Sequence, residues 1–371
     1  MNPSKLSIYA VGDTKPNRPN SESLFELALP TLKKADILYG QLEYPLSEKG
    51  ELQQCAYPTR NLKGLSPDKV SVLTYAGFDV MSFAGNNTFA RGVEAILETI
   101  ETLTKNNIQI VGVGKNIDEA RKPVILERKG TKVGFLDYAS VLPRGYQAEP
   151  NKPGCAPMRA STFYEQVDWQ AGTPPKIVTL ANKDDLAAMV DDIKKVRSKV
   201  DVLIMCIHWG VHLIPSVIAM YQKEVAHAAI DAGVDLILGS HPHILKGIEV
   251  YKGKVIIYSL GNFILPTDKG DVCIGTILYR GYGVKEYDEY PDYGFPVDAR
   301  KSMVAKCLIS DKKIEKVSYL PVMINEHAQP EVLTRSDKRS TEVFDYMVWC
   351  CRDQGLDTKF SWEGDEAIIL T

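Results

Sequence analysis

The chain has 371 residues, of which 44% are hydrophobic, and a formal net charge of -3. That length and apolar content supply a large core, while the near balance of charge argues against a nucleic-acid partner. The seven cysteines are scattered apart from adjacent Cys350 and Cys351 and lack paired zinc-ribbon spacing, so they are read as reduced thiols.

Taken in order, Met1 to Lys5 leads directly into an apolar-rich strand, Leu6 to Val11, with no run long enough for a signal peptide or an anchor. A cytoplasmic protein without membrane association is the expectation. The first strand ends at Gly12 and Asp13, a second, Ile37 to Leu42, ends at Glu43, and a third, Asp79 to Ala84, runs into Gly85, Asn86 and Asn87. Each delivers an oxygen-bearing side chain at its end, although Asp after Gly and an Asn pair are also ordinary turn chemistry. Helices are predicted over Ser21 to Lys34, Pro67 to Gly77, Ala90 to Lys105, Asp184 to Arg197 and Val217 to Ala232. Gly112, Val113, Gly114 and Lys115 lack the spacing of a phosphate-binding loop and are read as a turn.

The apolar runs Val202 to Ile207 and Val234 to Leu238 end at His208 and at Gly239, Ser240, His241, Pro242, His243. A helix between them makes a strand, helix, strand unit, and a right-handed crossover brings the two carboxyl ends to one sheet edge. A turn stiffened by Pro242 is the competing reading of His241 and His243. Imidazole is the commonest side-chain metal ligand, and imidazole with carboxylate and amide oxygen suits Zn, Mn or Fe better than Ca or Mg. Repeated strand and helix alternation through Phe263 defines an α/β class. A tail follows, with a helix around Ser340 to Arg352 and a final strand, Ala367 to Leu370.

The ordered series Gly12-Asp13, Gln41-Leu42-Glu43, Gly85-Asn86-Asn87, His208-Trp209-Gly210, Gly239-Ser240-His241-Pro242-His243 and Tyr258-Ser259-Leu260-Gly261-Asn262-Phe263 resembles the CapA family of capsule and poly-gamma-glutamate synthesis proteins. The resemblance spans roughly Lys5 to Pro321. It implies a calcineurin-like metallophosphoesterase sandwich of two mixed β-sheets flanked by helices, here over residues 1–329, with 330–371 as an extension packing on it. It further implies ligation of one or two divalent transition-metal ions by Asp13, Glu43, Asn87, His208, His241 and His243. Departures from the family pattern are Gln41 for Asn, Thr88 for the histidine after the paired asparagines, Ser240 for a frequent histidine, and His212 near a frequent Glu. A threonine hydroxyl does not replace an imidazole as an acid near neutral pH. His212 and Tyr258 are the local candidates for a substitute proton carrier, Asn262 for orienting a ligand or water, and His208 stands with them among the catalytic candidates.

Two long stretches interrupt the alternation, Pro143 to Pro175 and Tyr279 to Arg300, the second with five tyrosines. Loops of this length are commonly functional, and Arg159 or Arg300 would clamp a carboxylate or phosphate. The tyrosines equally suit a homo-oligomer interface. The expected activity is hydrolysis by a metal-activated water, or altered lyase-like chemistry given Thr88, on a small anionic or aromatic acid. The alternative is a non-catalytic capsule-synthesis accessory protein that binds an anionic polymer or a partner.

Overall fold

The computed structural model of the chain describes residues 5–53, 64–267, 290 and 292–371. A ten-stranded mixed sheet has Leu6–Thr14 at its centre, parallel to Ile37–Leu42 on one side and antiparallel to Lys301–Ser310 on the other. A six-stranded sheet is built around Val202–His208, parallel to both Thr131–Ala139 and Leu236–Ser240. Alternation along the first strand couples the two. Ile8 and Ala10 join a core shared with Phe135, Ile204 and Ile256 of the second sheet, while Tyr9 and Val11 join a second core with Leu24, Phe25 and Leu73. Tyr39 and Phe135 stack across the sheet interface with ring centroids 6.1 Å apart. The result is the sandwich of two mixed sheets flanked by helices that the resemblance implies.

Helix Lys183–Arg197 is started by Asn182, whose side chain accepts from the Asp184 and Asp185 amides, and Met220–Ala232 stops at Gly233 with φ 122°. The single helix predicted over Ser21 to Lys34 is corrected to a 3-10 turn, Ser21–Phe25, and a short helix, Leu29–Leu32. Pro30 is the reason, since it is tolerated in a first turn but not inside a helix. The stretch from Pro143 to Pro175 is not irregular throughout. It contains the strand Ala160–Glu165, paired antiparallel with Lys176–Ala181 as a two-stranded hairpin. Of Tyr279 to Arg300, only 290 and 292–300 lie within the described residues.

In the tail, helix Lys338–Asp353 buries Val343, Met347 and Cys350, and strand Glu366–Leu370 adds to the large sheet beside Lys313–Ile324. The helix end also holds a loop. Asp353 accepts from Ser216 Oγ at 2.6 Å, and Gln354 Oε1 accepts from the Ile218 amide at 3.0 Å. No described helix is long and apolar enough to cross a membrane.

Close approach of two backbones explains Gly12. A Cβ there would meet the Gly261 carbonyl oxygen at 1.8 Å, in the contact that sets Asp13 opposite Asn262. Gly12→Ala is expected to cost stability at or beyond the upper end of about 1–3 kcal/mol, read as a lowered urea midpoint. An unchanged midpoint would show that the strands separate without penalty.

Candidate metal centre

All six residues expected to ligate metal lie at one edge of the sandwich. Asp13 and Glu43 come from the ends of the first two strands, tied by the Glu43 amide donating to Thr14 O at 3.0 Å. His208 ends its strand opposite Ser240, and the chain then turns sharply through His241 and His243. Both have positive φ, 91° and 57°, a region that side chains larger than glycine rarely adopt. Such backbone costs about 1–3 kcal/mol per residue and persists where surroundings impose it. Here the Leu213 amide donates to Pro242 O at 2.9 Å and pins the turn.

Two groups of donors result. In one, His208 Nε2 and His241 Nδ1 both approach Asn86 Oδ1, at 2.7 and 3.2 Å. Ser240 Oγ, 3.0 Å from His208 Nδ1, orients that ring from behind. In the other, His243 Nδ1 lies 2.9 Å from Asp13 Oδ2 and its Nε2 lies 3.5 Å from Glu43 Oε1. Asn87 Nδ2 donates to Glu43 Oε1 at 2.8 Å. His208 links the groups, because Asp13, Glu43 and His208 offer ligand atoms within 4.8 Å of one another.

The polar atoms left over fit a cation. Asp13 Oδ1 and Oδ2, Glu43 Oε2 and Asn87 Oδ1 are buried and accept no hydrogen bond from any described donor, the Asp13 to His243 approach being out of line for one. A buried acceptor without a partner costs roughly 1–3 kcal/mol, and three in one place, beside an Asp13 Oδ2 that has only its ion pair with His243, call for a compensating ligand. Carboxylate, amide and imidazole donors together match a divalent transition metal.

Burial raises the Glu43 carboxyl above its ordinary range, and the neighbouring Asp13 charge adds to the effect. Burial works against a charged His243, but Asp13 and Glu43 outweigh it and hold this imidazole at about 10. His241 is pushed down to about 3 by burial, then by the His243 charge, and His208 is lowered by burial and the other two rings. These opposite shifts shape the stability of metal-free protein. The His243 contribution is full below an ordinary 6.5 and is lost as pH rises toward 10, because the native state holds that proton more tightly. His241 must take up a proton on unfolding below 6.5, so its contribution is lost as pH falls toward 3. Chelator-treated protein is thus expected to be flattened in its urea midpoint on the acid side by His241→Asn and on the alkaline side by His243→Asn. Identical profiles for both variants and wild type would refute this electrostatic picture.

His212 packs on the cluster, its ring centroid 5.3 Å from that of His241 and 5.0 Å from that of His243. Asn262 Oδ1 is 2.7 Å from His243 Nδ1, and its amide donates to Tyr293 OH at 2.6 Å. Tyr258 is directed elsewhere: its hydroxyl donates to Glu249 at 2.6 Å while its ring stacks on Trp209. Thr88 Oγ1 donates to Phe83 O. Arg159 is not brought to the cluster but grips Asp185 through Nε and Nη2 at 2.7 and 2.8 Å. Arg300 is buried with its guanidinium over the Tyr290 ring, 3.3 Å from the centroid.

Three residues at this edge lie outside the expected site set. Asn86, readable as a turn partner of Asn87, sits between the two histidines. Tyr293 backs Asn262 and donates to Ala299 O at 2.6 Å. Asp137, buried within Thr131–Ala139, accepts from the Phe83 and Ala84 amides at 3.2 and 3.0 Å and so holds the turn that carries both asparagines. Burial raises its carboxyl well above the usual range.

The family described as Bacterial capsule synthesis protein PGA_cap matches residues 7–267, and the chain belongs to that family. Its relatives include the PGA biosynthesis protein CapA of Bacillus subtilis (strain 168), 29% identical over 268 residues, covering 70% of this chain and 63% of the relative. The Capsule biosynthesis protein CapA of Bacillus anthracis is 27% identical over 271 residues, covering 70% and 60%. The chain thus spans somewhat under two thirds of the length of these relatives. A Probable polyglutamine synthesis accessory protein of Mycobacterium tuberculosis is 28% identical, covering 54% and 48%. Among solved structures, a hypothetical protein from Thermus thermophilus superimposes with a TM-score of 0.46 at 15% identity, covering 85% of this chain and 98% of that one.

Proposed function

We propose that the chain is a metal-dependent hydrolase acting on a small anionic substrate, with one or two Zn, Mn or Fe ions held by Asp13, Glu43, Asn87, His208, His241 and His243. The carrying observation is the set of buried Asp13, Glu43 and Asn87 oxygens without hydrogen-bond donors, facing three histidines. Asn86, which offers its amide oxygen to two of those histidines, is added to the set. A bound divalent ion supplies Lewis acidity and brings the pKa of water close to neutrality. Asn262 orients the His243 ring, and Ser240 the His208 ring. His212, packed on two of the histidines, carries the proton that Thr88 cannot. The reading is of a cytoplasmic protein, with Arg300 as a candidate for the anionic end of the substrate.

A second reading, an accessory protein of capsule synthesis that binds an anionic polymer or a partner, is favoured by Thr88, whose hydroxyl is engaged by Phe83 O, and by the accessory role in the name of the mycobacterial relative. Elemental analysis of purified protein, with turnover of phosphate mono- and diesters and of a γ-glutamyl anilide, separates the two. The hydrolase reading expects bound transition metal and turnover of at least one of these, both lost in His241→Ala and His243→Ala. Metal content and turnover unchanged in both variants would sink it; metal without turnover of any ester or amide would favour the accessory role.

A further inference from the structure

Beside the cluster lies a cavity of about 320 Å³, within the range of roughly 300–1,000 Å³ typical of small-ligand pockets. Asn86 belongs to both. The cavity lies outside the carboxyl ends of Thr131–Ala139 and Val202–His208, where open α/β sheets receive their ligands, and the Ser140 amide ties the two ends by donating to His208 O at 2.9 Å. Its far wall is the hairpin of Ala160–Glu165 and Lys176–Ala181, which contributes Thr162 and Thr179 from directly opposed positions.

The lining has a definite chemistry. Ser140, Thr162, Thr179 and Tyr221 bring hydroxyls and Asn86 an amide, while Val141, Leu142 and Pro143 bring apolar surface; none of the residues lining the cavity is charged. The hydroxyl wall is braced. Ser140 Oγ and Tyr221 OH are 2.7 Å apart, the Gly210 amide donates to Tyr221 OH at 2.8 Å, and the Tyr221 amide donates to Thr179 Oγ1 at 3.1 Å. Groups that both donate and accept, set beside apolar surface and without formal charge, match a ring carrying hydroxyl and amide substituents. They offer nothing to compensate a buried ion. Farther along the same hairpin face, Tyr164 and Ile177 are exposed, which leaves the cavity open at that end.

We propose that this cavity is a second subsite, which binds a neutral, hydroxyl- and amide-bearing ring of the sugar type whose anionic substituent sits at the metal centre. The anionic half of that statement rests on the metal-centre reading; the neutral half does not. Three probes distinguish them by calorimetry on manganese-loaded protein: inorganic phosphate, N-acetylglucosamine, and N-acetylglucosamine 1-phosphate. Wild type is expected to bind the sugar phosphate at least about tenfold more tightly than phosphate. Thr162→Trp, a strand position that tolerates an aromatic, is expected to remove that advantage while leaving metal content and phosphate binding unchanged. Thr162→Val, which keeps the volume and loses the hydroxyl, is expected to fall between. A tenfold advantage that is missing in wild type, or intact in Thr162→Trp, overturns the subsite. Should phosphate fail to bind wild type, the metal-centre reading falls. The subsite is then supported by binding of N-acetylglucosamine that Thr162→Trp abolishes, and overturned by its absence.

Discussion

Metal-free protein titrated with manganese to about a hundredfold over the dissociation constant is expected to gain about 2.7 kcal/mol of stability, and Asp13→Ala to lose that gain. Asp13 is fully buried, both its oxygens lack a hydrogen-bond donor, and its charge helps to raise the Glu43 carboxyl. A cation satisfies these oxygens at once and removes the repulsion between the carboxylates, so binding favours the native state over an unfolded chain in which the donors are dispersed. Alanine at 13 takes away the group around which both effects are organised. Urea midpoints with and without manganese measure the gain. A variant stabilised as much as wild type would show that the ion binds elsewhere.

Under the hydrolase proposal, the largest expected effect on turnover without loss of metal belongs to His212. His208, His241 and His243 are buried, whereas His212 is only half-buried and packs on the outer side of the latter two rings. It sits on a loop whose Leu213 and Ser216 have φ of 54° and 57°, held from behind by Asp353 and Gln354. A histidine placed between the donor cluster and solvent is suited to proton transfer, a role commonly worth about 10²- to 10⁴-fold. His212→Ala is expected to lower kcat by an amount in that range with metal content unchanged, and to abolish one limb of the pH–rate profile. Lost metal in this variant would make His212 a ligand instead, and unaltered kcat would end its candidacy.

The frame of the molecule was readable from strand-end residues, because an apolar run that stops at a functional side chain marks both the strand and its exit. His208 and the His241 and His243 pair illustrate this: parallel pairing turned a spacing of more than thirty residues into ring centroids 4.8 Å apart for His208 and His241. Side-chain direction was not readable. Tyr258 sits in a motif with Asn262, yet its hydroxyl points to Glu249 while Asn262 meets His243, a difference set by packing against Trp209. Arg159 illustrates the same limit, since its partner Asp185 lies on a helix 26 residues away. The hairpin is not legible in the sequence because Ala160–Glu165 is exposed on nearly every residue and shows no alternation of apolar and polar side chains.

Asp13 and Glu43 stand at the ends of strands of one sheet, His208, His241 and His243 at the ends of strands of the other. Much of the contact between the layers is non-directional and apolar, such as Tyr39 on Phe135, and tolerates small sliding. Ligand bonds do not. An ion held by both sets of donors would act as a rivet through two plates at one rim, fixing the lateral register of the sheets there, so that the spacing of the donors and the alignment of the sandwich would become a single mechanical property.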